Sequence, residues 1–294
     1  MSASSEQSFR SAGLDPTDVA TVIDRAFAED LSTTGDVTSL ATIAADAVAT
    51  ARFVARADGV IAGIPAVAMC FDMMLADRAT FSSRLADGDR VARGDVIASV
   101  TGPTRGLLTV ERTALNILCR LSGIATLTRS FADALAGTNA KVRDTRKTTP
   151  GLRALEKYAV RCGGGTNHRF GLYDAVLIKD NHVVAAGGVR EALAAVSAYL
   201  GDRKLVVQCE IDRLDQLDDA LSGGADQILL DNMSTLDMTE AVRRIRHSRP
   251  DVLIEASGRL TLDRVAEVAS TGVDYLAVGA LTHSAPILDI ALDM

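Results

Sequence analysis

The sequence predicts an α/β protein whose second half is a barrel of parallel strands. From residue 141 onward, short apolar runs alternate with helical patterns of about ten to fifteen residues. Strands alternating with helices at this spacing are typical of a parallel sheet. The predicted strands are residues 141–146, 175–178, 205–211, 227–230, 253–256 and 275–278, and the helices between them are 189–200, 214–222, 238–246 and 262–270.

A barrel is favoured over an open doubly wound sheet. The first of the six strands is not followed by the G-x-G-x-x-G turn that binds dinucleotides in Rossmann folds. Six consecutive strand–helix units without this turn fit an α/β barrel.

The region before residue 123 lacks the regular alternation of strands and helices, which indicates a separate domain. Residues 51–57 alternate polar and apolar side chains, as a half-exposed antiparallel strand does. Residues 87–98 contain Gly-Asp turns like those of biotinyl and lipoyl carrier modules, but the modifiable lysine of a carrier is missing. Residues 109–130 predict a long amphipathic helix with Arg112 on its first turns.

Composition excludes several classes of protein. The chain has 294 residues, of which 48% are hydrophobic and 23% charged, so it is expected to be globular rather than disordered. The net charge of −7 argues against nonspecific nucleic-acid binding. Residues 60–76, the most apolar stretch, are interrupted by Gly63, Pro65 and Asp72 and are too short to span a bilayer.

The sequence also predicts a cytoplasmic location. The N-terminus is polar and lacks the apolar core of a signal peptide. The four dispersed cysteines have neither disulfide nor zinc-site spacing, and a reducing compartment fits them best. They are Cys70, Cys119, Cys162 and Cys209.

Positive charge is concentrated in one segment of this acidic chain. Residues 141–180 carry nine Lys or Arg against four Asp or Glu, a net charge of +5, whereas the rest of the chain carries −12. A solvated helix face accounts for Arg153, Lys157 and Arg161. The remaining bases indicate an anionic ligand.

Polar or small residues follow all six predicted strands, at the carboxyl edge where barrel enzymes place their active sites. They are Arg146-Lys147, Lys179 to His182, Glu210 with Asp212, Asp231-Asn232, Ser257-Gly258 and Gly279-Ala280. Arginine binds carboxylates in a planar fork, and the small residues let backbone N–H groups approach a phosphate. Glu210 and Asp231 are suited to hold Mg²⁺, to bind ribose hydroxyls or to offset positive charge on a sugar. The pattern predicts a site with a basic and an acidic half.

Several ordered motifs resemble the quinolinate phosphoribosyltransferase family over residues 29–286. The motifs are ERTALN (111–116), LSGIAT (121–126), DTRKTTPGLR (144–153), LEKYAVRCGGG (155–165), NHR (167–169), IKDNH (178–182), LDNM (230–233), ASG (256–258) and VGALTHS (278–284). The resemblance implies conversion of quinolinate and phosphoribosyl pyrophosphate into nicotinate mononucleotide, pyrophosphate and CO₂ during NAD biosynthesis. It further implies Mg²⁺ without an organic cofactor, and a homodimer or higher oligomer.

The resemblance also implies the domain plan and the site residues. An N-terminal α/β sandwich domain is expected over residues 15–124, joined by 285–294, after a flexible tail at 1–14. An open, incomplete α/β barrel is expected over 125–284. The implied catalytic residues are Lys147, Lys179, Glu210 and Asp231, of which the two acids also lie near the metal. The implied substrate-binding residues are Arg112 of the neighbouring subunit, Arg146, Lys147, His168, Arg169, Lys179, Asn232, Ser257, Gly258, Gly279 and Ala280.

Two positions depart from the family pattern. Gln208-Cys209 precedes Glu210 where Glu-Val is more frequent, and Arg259 follows Gly258 where glycine is common. The departure at Gln208-Cys209 leaves the acidic residue Glu210 in place. The second puts the geometry of the phosphate loop in question.

Three other functions are compatible with parts of the sequence. One is a Schiff-base aldolase with Lys179 or Lys147 as its nucleophile. Another is a non-catalytic relative of the kind associated with molybdenum uptake, which is expected to lose the bases that are present here. A binding module without catalysis fits a site with both a basic and an acidic half least well.

Overall fold

The computed structural model describes residues 9–294, which form two compact units. The first unit comprises residues 9–129, Thr148–Gly164 and Ala280–Met294. The second comprises Ser130–Lys147 and Gly165–Gly279. The predicted α/β class is confirmed, with an antiparallel sheet in the first unit and a parallel sheet in the second.

The first unit is built on a four-stranded antiparallel sheet of order β12-β1-β5-β3. Its strands are β1 (Val48–Ala55), β3 (Thr80–Ser83), β5 (Val96–Pro103) and β12 (Ile290–Asp293), and β2 (Gly59–Val60) pairs separately with β4 (Arg90–Val91). Phe53 of β1 packs edge-on against Phe71, with ring centroids 6.1 Å apart. Because β12 pairs with β1, residues near the C-terminus belong to this sheet.

Most helices of this unit bury apolar side chains. The helices of the unit are α1 (Pro16–Leu31), α2 (Val37–Thr42), α3 (Ile64–Leu75), α5 (Arg153–Cys162) and α11 (Ala280–His283), together with most of α4 (Thr104–Ala134). Helix α1 begins where the side chain of Asp15 accepts a hydrogen bond from the Thr17 amide, and Val19, Ile23 and Phe27 form its buried stripe. Helix α4 contains the predicted helix 109–130 and extends it at both ends.

The second unit is a six-stranded parallel sheet of order β6-β11-β10-β9-β8-β7. Its strands are β6 (Lys141–Arg143), β7 (Val176–Ile178), β8 (Val207–Ile211), β9 (Gln227–Asp231), β10 (Leu253–Ser257) and β11 (Tyr275–Ala277). Its helices are α6 (Asp180–Ala186), α7 (Val189–Leu200), α8 (Leu217–Ser222), α9 (Thr235–Ser248) and α10 (Val265–Ala269). Within the described residues, β6 and β7 are the two edges of this sheet, so the barrel is open.

The boundaries of the units differ from the predicted domain limits. Residues 148–164 were expected in the barrel domain but belong to the first unit. The buried carboxylate of Glu156 in α5 explains this, because it forms a 2.8 Å ion pair with Arg120 of α4. The same carboxylate accepts hydrogen bonds from the amide and hydroxyl of Thr149.

The expectation of a flexible tail over residues 1–14 does not hold for its described part. Residues 1–8 lie outside the described residues. Residues 9–12 are helical, Phe9 and Leu14 are buried, and Arg161 donates a hydrogen bond to the carbonyl of Ala12. These contacts make residues 9–14 part of the first unit.

Within residues 9–294, no single helix is long and apolar enough to cross a membrane. The helices Asp180–Ala186 and Val189–Leu200 form a bent pair that is long and apolar enough together, by length and composition only.

Candidate active site

Asp144, directly after β6, organises the basic half of the site. Its side chain is fully buried. One carboxylate oxygen accepts a 2.7 Å hydrogen bond from the backbone N–H of His168. The other accepts a 2.7 Å hydrogen bond from Nδ2 of Asn167. Thr166 also forms a parallel bridge with Arg143 of β6. The loop that carries His168 and Arg169 is therefore fixed beside the end of β6.

Two arginine side chains in this half have buried nitrogen atoms that lack a hydrogen-bond partner. They are the Nε atoms of Arg146 and Arg169, whereas Nη1 of Arg169 donates to the carbonyl of Ala175 at 3.0 Å. Burial lowers the pKa of Arg169, and the positive charge of Arg146 lowers it further. A buried guanidinium N–H without an acceptor is unfavourable, and a neighbouring like charge adds to the cost. The unpartnered guanidinium N–H groups and the two neighbouring positive charges are the features expected of a site that binds an anion.

His168 lies between Arg169 and the interior of the barrel. Its Nδ1 accepts the Arg169 amide N–H at 2.7 Å, and its Nε2 lies 3.6 Å from Oε1 of Glu255. The ring is thus oriented by contacts on both of its nitrogens.

The acidic half contains Glu210 of β8 and Asp231 of β9. Oε2 of Glu210 forms a 2.9 Å ion pair with Nζ of Lys179. The backbone N–H of Lys179 donates to Nδ1 of His182 at 2.9 Å, which fixes the start of α6. Asp231 accepts a 2.6 Å hydrogen bond from the side-chain amide of Asn232.

The ends of β9 and β10 approach each other closely at Gly258. The amide N–H of Asn232, which has a φ of +54°, donates to the carbonyl of Ser257 at 2.9 Å. Gly258 has a φ of +104°, and a Cβ atom there would lie 2.2 Å from Oδ1 of Asn232. Arg259 has a φ of +48° and therefore adopts the left-handed backbone without glycine.

Replacing Gly258 with alanine should destabilise the second unit by about 1–3 kcal/mol, because the added methyl group displaces Asn232 and the backbone is strained. Gly187→Ala is the matched control, since Gly187 has a φ of +96° with nothing within 4 Å of a built Cβ. Urea unfolding of both variants measures the difference. Equal losses of stability would show that the contact with Asn232 is unimportant.

The interior of the barrel is polar, which the sequence reasoning missed. Nη1 of Arg143 donates to Oε2 of Glu255 at 2.8 Å and to Gln227 at 3.3 Å, and Nε2 of Gln208 donates to the same Glu255 oxygen at 3.2 Å. The guanidinium of Arg143 also lies 3.4 Å from the ring centroid of Tyr275. A signal was present, because Gln208 and Glu210, like Glu255 and Ser257, are two residues apart and share one face of a strand.

Eleven of the thirteen sequence-predicted site residues belong to the second unit. They are Arg146, Lys147, His168, Arg169, Lys179, Glu210, Asp231, Asn232, Ser257, Gly258 and Gly279. Lys147 is exposed. Arg112, exposed on α4, and Ala280, at the start of α11, belong to the first unit. Among the described residues, no group of three His, Cys, Asp or Glu could hold a metal ion alone.

Comparison with known proteins defines the class of this fold and site. The model for the C-terminal domain of quinolinate phosphoribosyl transferase matches residues 124–293, and the model for the N-terminal domain matches residues 36–122. A curated relative, the nicotinate-nucleotide pyrophosphorylase [carboxylating] of Mycobacterium leprae, is 50% identical over 92% of this chain and 95% of its own.

Solved structures agree with the family models. The nicotinate-nucleotide pyrophosphorylase from Francisella tularensis has a TM-score of 0.89 and 35% identity, covering 95% of this chain and 97% of its own. NadC from Streptococcus pyogenes has a TM-score of 0.90 and 38% identity, covering 96% and 97%. The fold and site define a phosphoribosyltransferase with an α/β barrel. The chain belongs to the quinolinate phosphoribosyltransferase family, and the family predicted from its motifs is confirmed.

Proposed function

We propose that this chain transfers the phosphoribosyl group of phosphoribosyl pyrophosphate to quinolinate and decarboxylates the adduct to nicotinate mononucleotide. The observation that carries the proposal is the pair of buried, unpartnered Nε atoms of Arg146 and Arg169. Two neighbouring guanidinium groups match a ligand with two adjacent carboxylates in charge. Membership of the family supports the same reaction.

Arg146 and Arg169 are proposed to clamp the quinolinate carboxylates, with His168 beside them. This clamp orients the pyridine nitrogen toward C1 of the ribose. Holding two reactants in the attacking geometry removes a large entropic part of the barrier. Arg112 of a partner subunit is proposed to complete the clamp in a homodimer or higher oligomer, which agrees with its exposed position on α4.

The reaction then proceeds in two steps. The ring nitrogen forms a bond to C1 of the ribose as the bond from C1 to pyrophosphate breaks. The bond between C2 and its carboxylate then breaks and releases CO₂. The electron pair left at C2 is stabilised by the adjacent cationic nitrogen until C2 takes up a proton. The pyridine ring serves as the electron sink, so no organic cofactor is needed.

Glu210 and Asp231 are proposed to stabilise the positive charge that develops on the ribose. Lys179, held 2.9 Å from Glu210, and Lys147 are proposed to neutralise the departing pyrophosphate. Backbone groups of Ser257, Gly258, Gly279 and Ala280 are proposed to bind the 5′-phosphate, and Asn232 to bind ribose.

The acidic half fits Mg²⁺ of the kind that is bound jointly by protein and substrate. Mg²⁺ is usually held by one or two carboxylates together with substrate phosphates, and Glu210 and Asp231 supply two carboxylates. Bound Mg²⁺ would offset charge on the pyrophosphate.

The aldolase alternative is disfavoured by the state of Lys179. Its Nζ forms a 2.9 Å ion pair with Glu210, and this contact would have to be broken before Nζ could attack a substrate carbonyl. We also propose a cytoplasmic location, which agrees with four free cysteines.

The test is turnover with purified protein, phosphoribosyl pyrophosphate and Mg²⁺. Nicotinate mononucleotide and CO₂ are expected from quinolinate in equal amounts, and nicotinate in place of quinolinate should give no product because it lacks the second carboxylate. Equal turnover of the two acids would contradict the proposal. Absence of product from quinolinate with folded protein would favour a non-catalytic relative.

A further inference from the structure

The buried carboxylate of Glu255 lies on the side of His168 that faces away from Arg169. Glu255 is 1% exposed. Its Oε2 accepts hydrogen bonds from Arg143 and Gln208, whereas its Oε1 lacks a hydrogen-bond partner and lies 3.6 Å from Nε2 of His168. Glu255 is outside the set of residues to which the proposed reaction gives a role.

The contacts of His168 determine which ring nitrogen carries the proton. Nδ1 accepts the Arg169 amide N–H at 2.7 Å, so it has no hydrogen of its own. Nε2 faces a carboxylate oxygen, which can only accept. The arrangement therefore requires the neutral imidazole with its proton on Nε2.

A neutral His168 matters for the charge of the site. Arg146 and Arg169 already repel each other, since the charge of Arg146 lowers the pKa of Arg169. An imidazolium beside them would add a third positive charge. A neutral ring adds no further repulsion to the guanidinium groups that are proposed to hold the quinolinate carboxylates.

We propose that Glu255 is a positioning residue that fixes the proton of His168 on Nε2, while the Arg169 amide N–H that donates to Nδ1 keeps the ring neutral, so that His168 orients Arg169 rather than binding quinolinate through its own charge. The inference rests on the proposed function in one respect, since Arg169 is the group that contacts a quinolinate carboxylate. Glu255 acts only through His168.

The ligand-free protein tests the protonation state directly. The chain has four histidines, so a ¹⁵N-histidine sample without an affinity tag gives a simple imidazole spectrum, assigned by its change in His168→Gln. Nε2 of His168 should be protonated and Nδ1 unprotonated at neutral pH. Protonation of both nitrogens, or of Nδ1 alone, would overturn the proposal.

Glu255→Gln should disturb this state. The single amide oxygen of the new glutamine would accept the hydrogen bonds from Arg143 and Gln208. Its NH₂ group would then face Nε2 of His168. The proton of His168 should then move to Nδ1, which opposes the Arg169 amide N–H. The KM for quinolinate should rise about threefold to tenfold with little change in the KM for phosphoribosyl pyrophosphate. An unchanged spectrum and an unchanged KM would contradict the role of Glu255.

Two substitutions of His168 keep the proposal testable if Glu255→Gln does not fold. In His168→Asn, the side-chain amide oxygen can take the position of Nδ1 and accept a hydrogen bond from the Arg169 backbone N–H. In His168→Gln, the side-chain amide lies nearer to the position of Nε2. His168→Asn should therefore lose several-fold less quinolinate affinity than His168→Gln. Equal losses would indicate that His168 binds substrate itself.

These outcomes are separable from failure of the proposed function. Wild-type protein that does not turn over quinolinate would contradict the function, whatever the spectrum shows. Active wild-type protein with a protonated imidazolium at His168 would contradict this inference alone.

Discussion

Arg146→Ala should lose about 3–6 kcal/mol of quinolinate binding free energy, at least a hundredfold in affinity, without loss of folding stability. Two charge-assisted hydrogen bonds to one carboxylate, at about 1.5–3 kcal/mol each, account for the binding loss. The free energy of unfolding should be unchanged or slightly higher. The buried Nε of Arg146 lacks a partner in the free protein, and removing its charge relieves the repulsion felt by Arg169.

Titration calorimetry with quinolinate and urea unfolding measure the two effects separately. Arg190→Ala is the matched control, because Arg190 is an exposed arginine of the same unit that pairs with Asp219. It should change neither binding nor stability by more than about 0.5 kcal/mol. Wild-type quinolinate affinity in Arg146→Ala would contradict the carboxylate clamp.

Glu210→Gln should lower kcat by about 10²–10³ while leaving the KM for quinolinate near its wild-type value. The reason is that a carboxylate aimed at charge developing on the ribose contributes in the transition state rather than in the substrate complex. The substitution keeps the size of the side chain but removes the charge that pairs with Lys179.

Asp212→Asn is the control for this prediction. Asp212 directly follows the same strand, but its side chain is 57% exposed and pairs with Arg213. Steady-state kinetics of both variants distinguish a local electrostatic role from a general effect of charge at this edge. Similar losses of kcat in the two variants would contradict the specific role of Glu210.

The parallel sheet could be predicted from sequence because each strand is a short apolar run followed by polar or small residues. The strand predicted at 227–230 differs from the observed Gln227–Asp231 by one residue, and helix 189–200 was predicted with its observed bounds. The residues predicted at the strand ends lie at one edge of the sheet, since all six strands are parallel and their carboxyl ends share that edge.

Contacts between distant parts of the chain could not be predicted in this way. Tyr158 of α5 donates a hydrogen bond to Asp87, which lies 71 residues away in sequence. Contacts of this kind place α5 in the first unit. The Glu255 network was missed because a strand that looks buried gives no sign of its partners, although Glu255 interrupts an apolar run.

The most direct test of the central claim is a crystal structure of the protein with quinolinate bound. The two carboxylates should lie within hydrogen-bond distance of the Nε atoms of Arg146 and Arg169, two of the buried donors that lack a partner in the free protein. Quinolinate bound elsewhere, with both Nε atoms still without a carboxylate partner, would contradict the account.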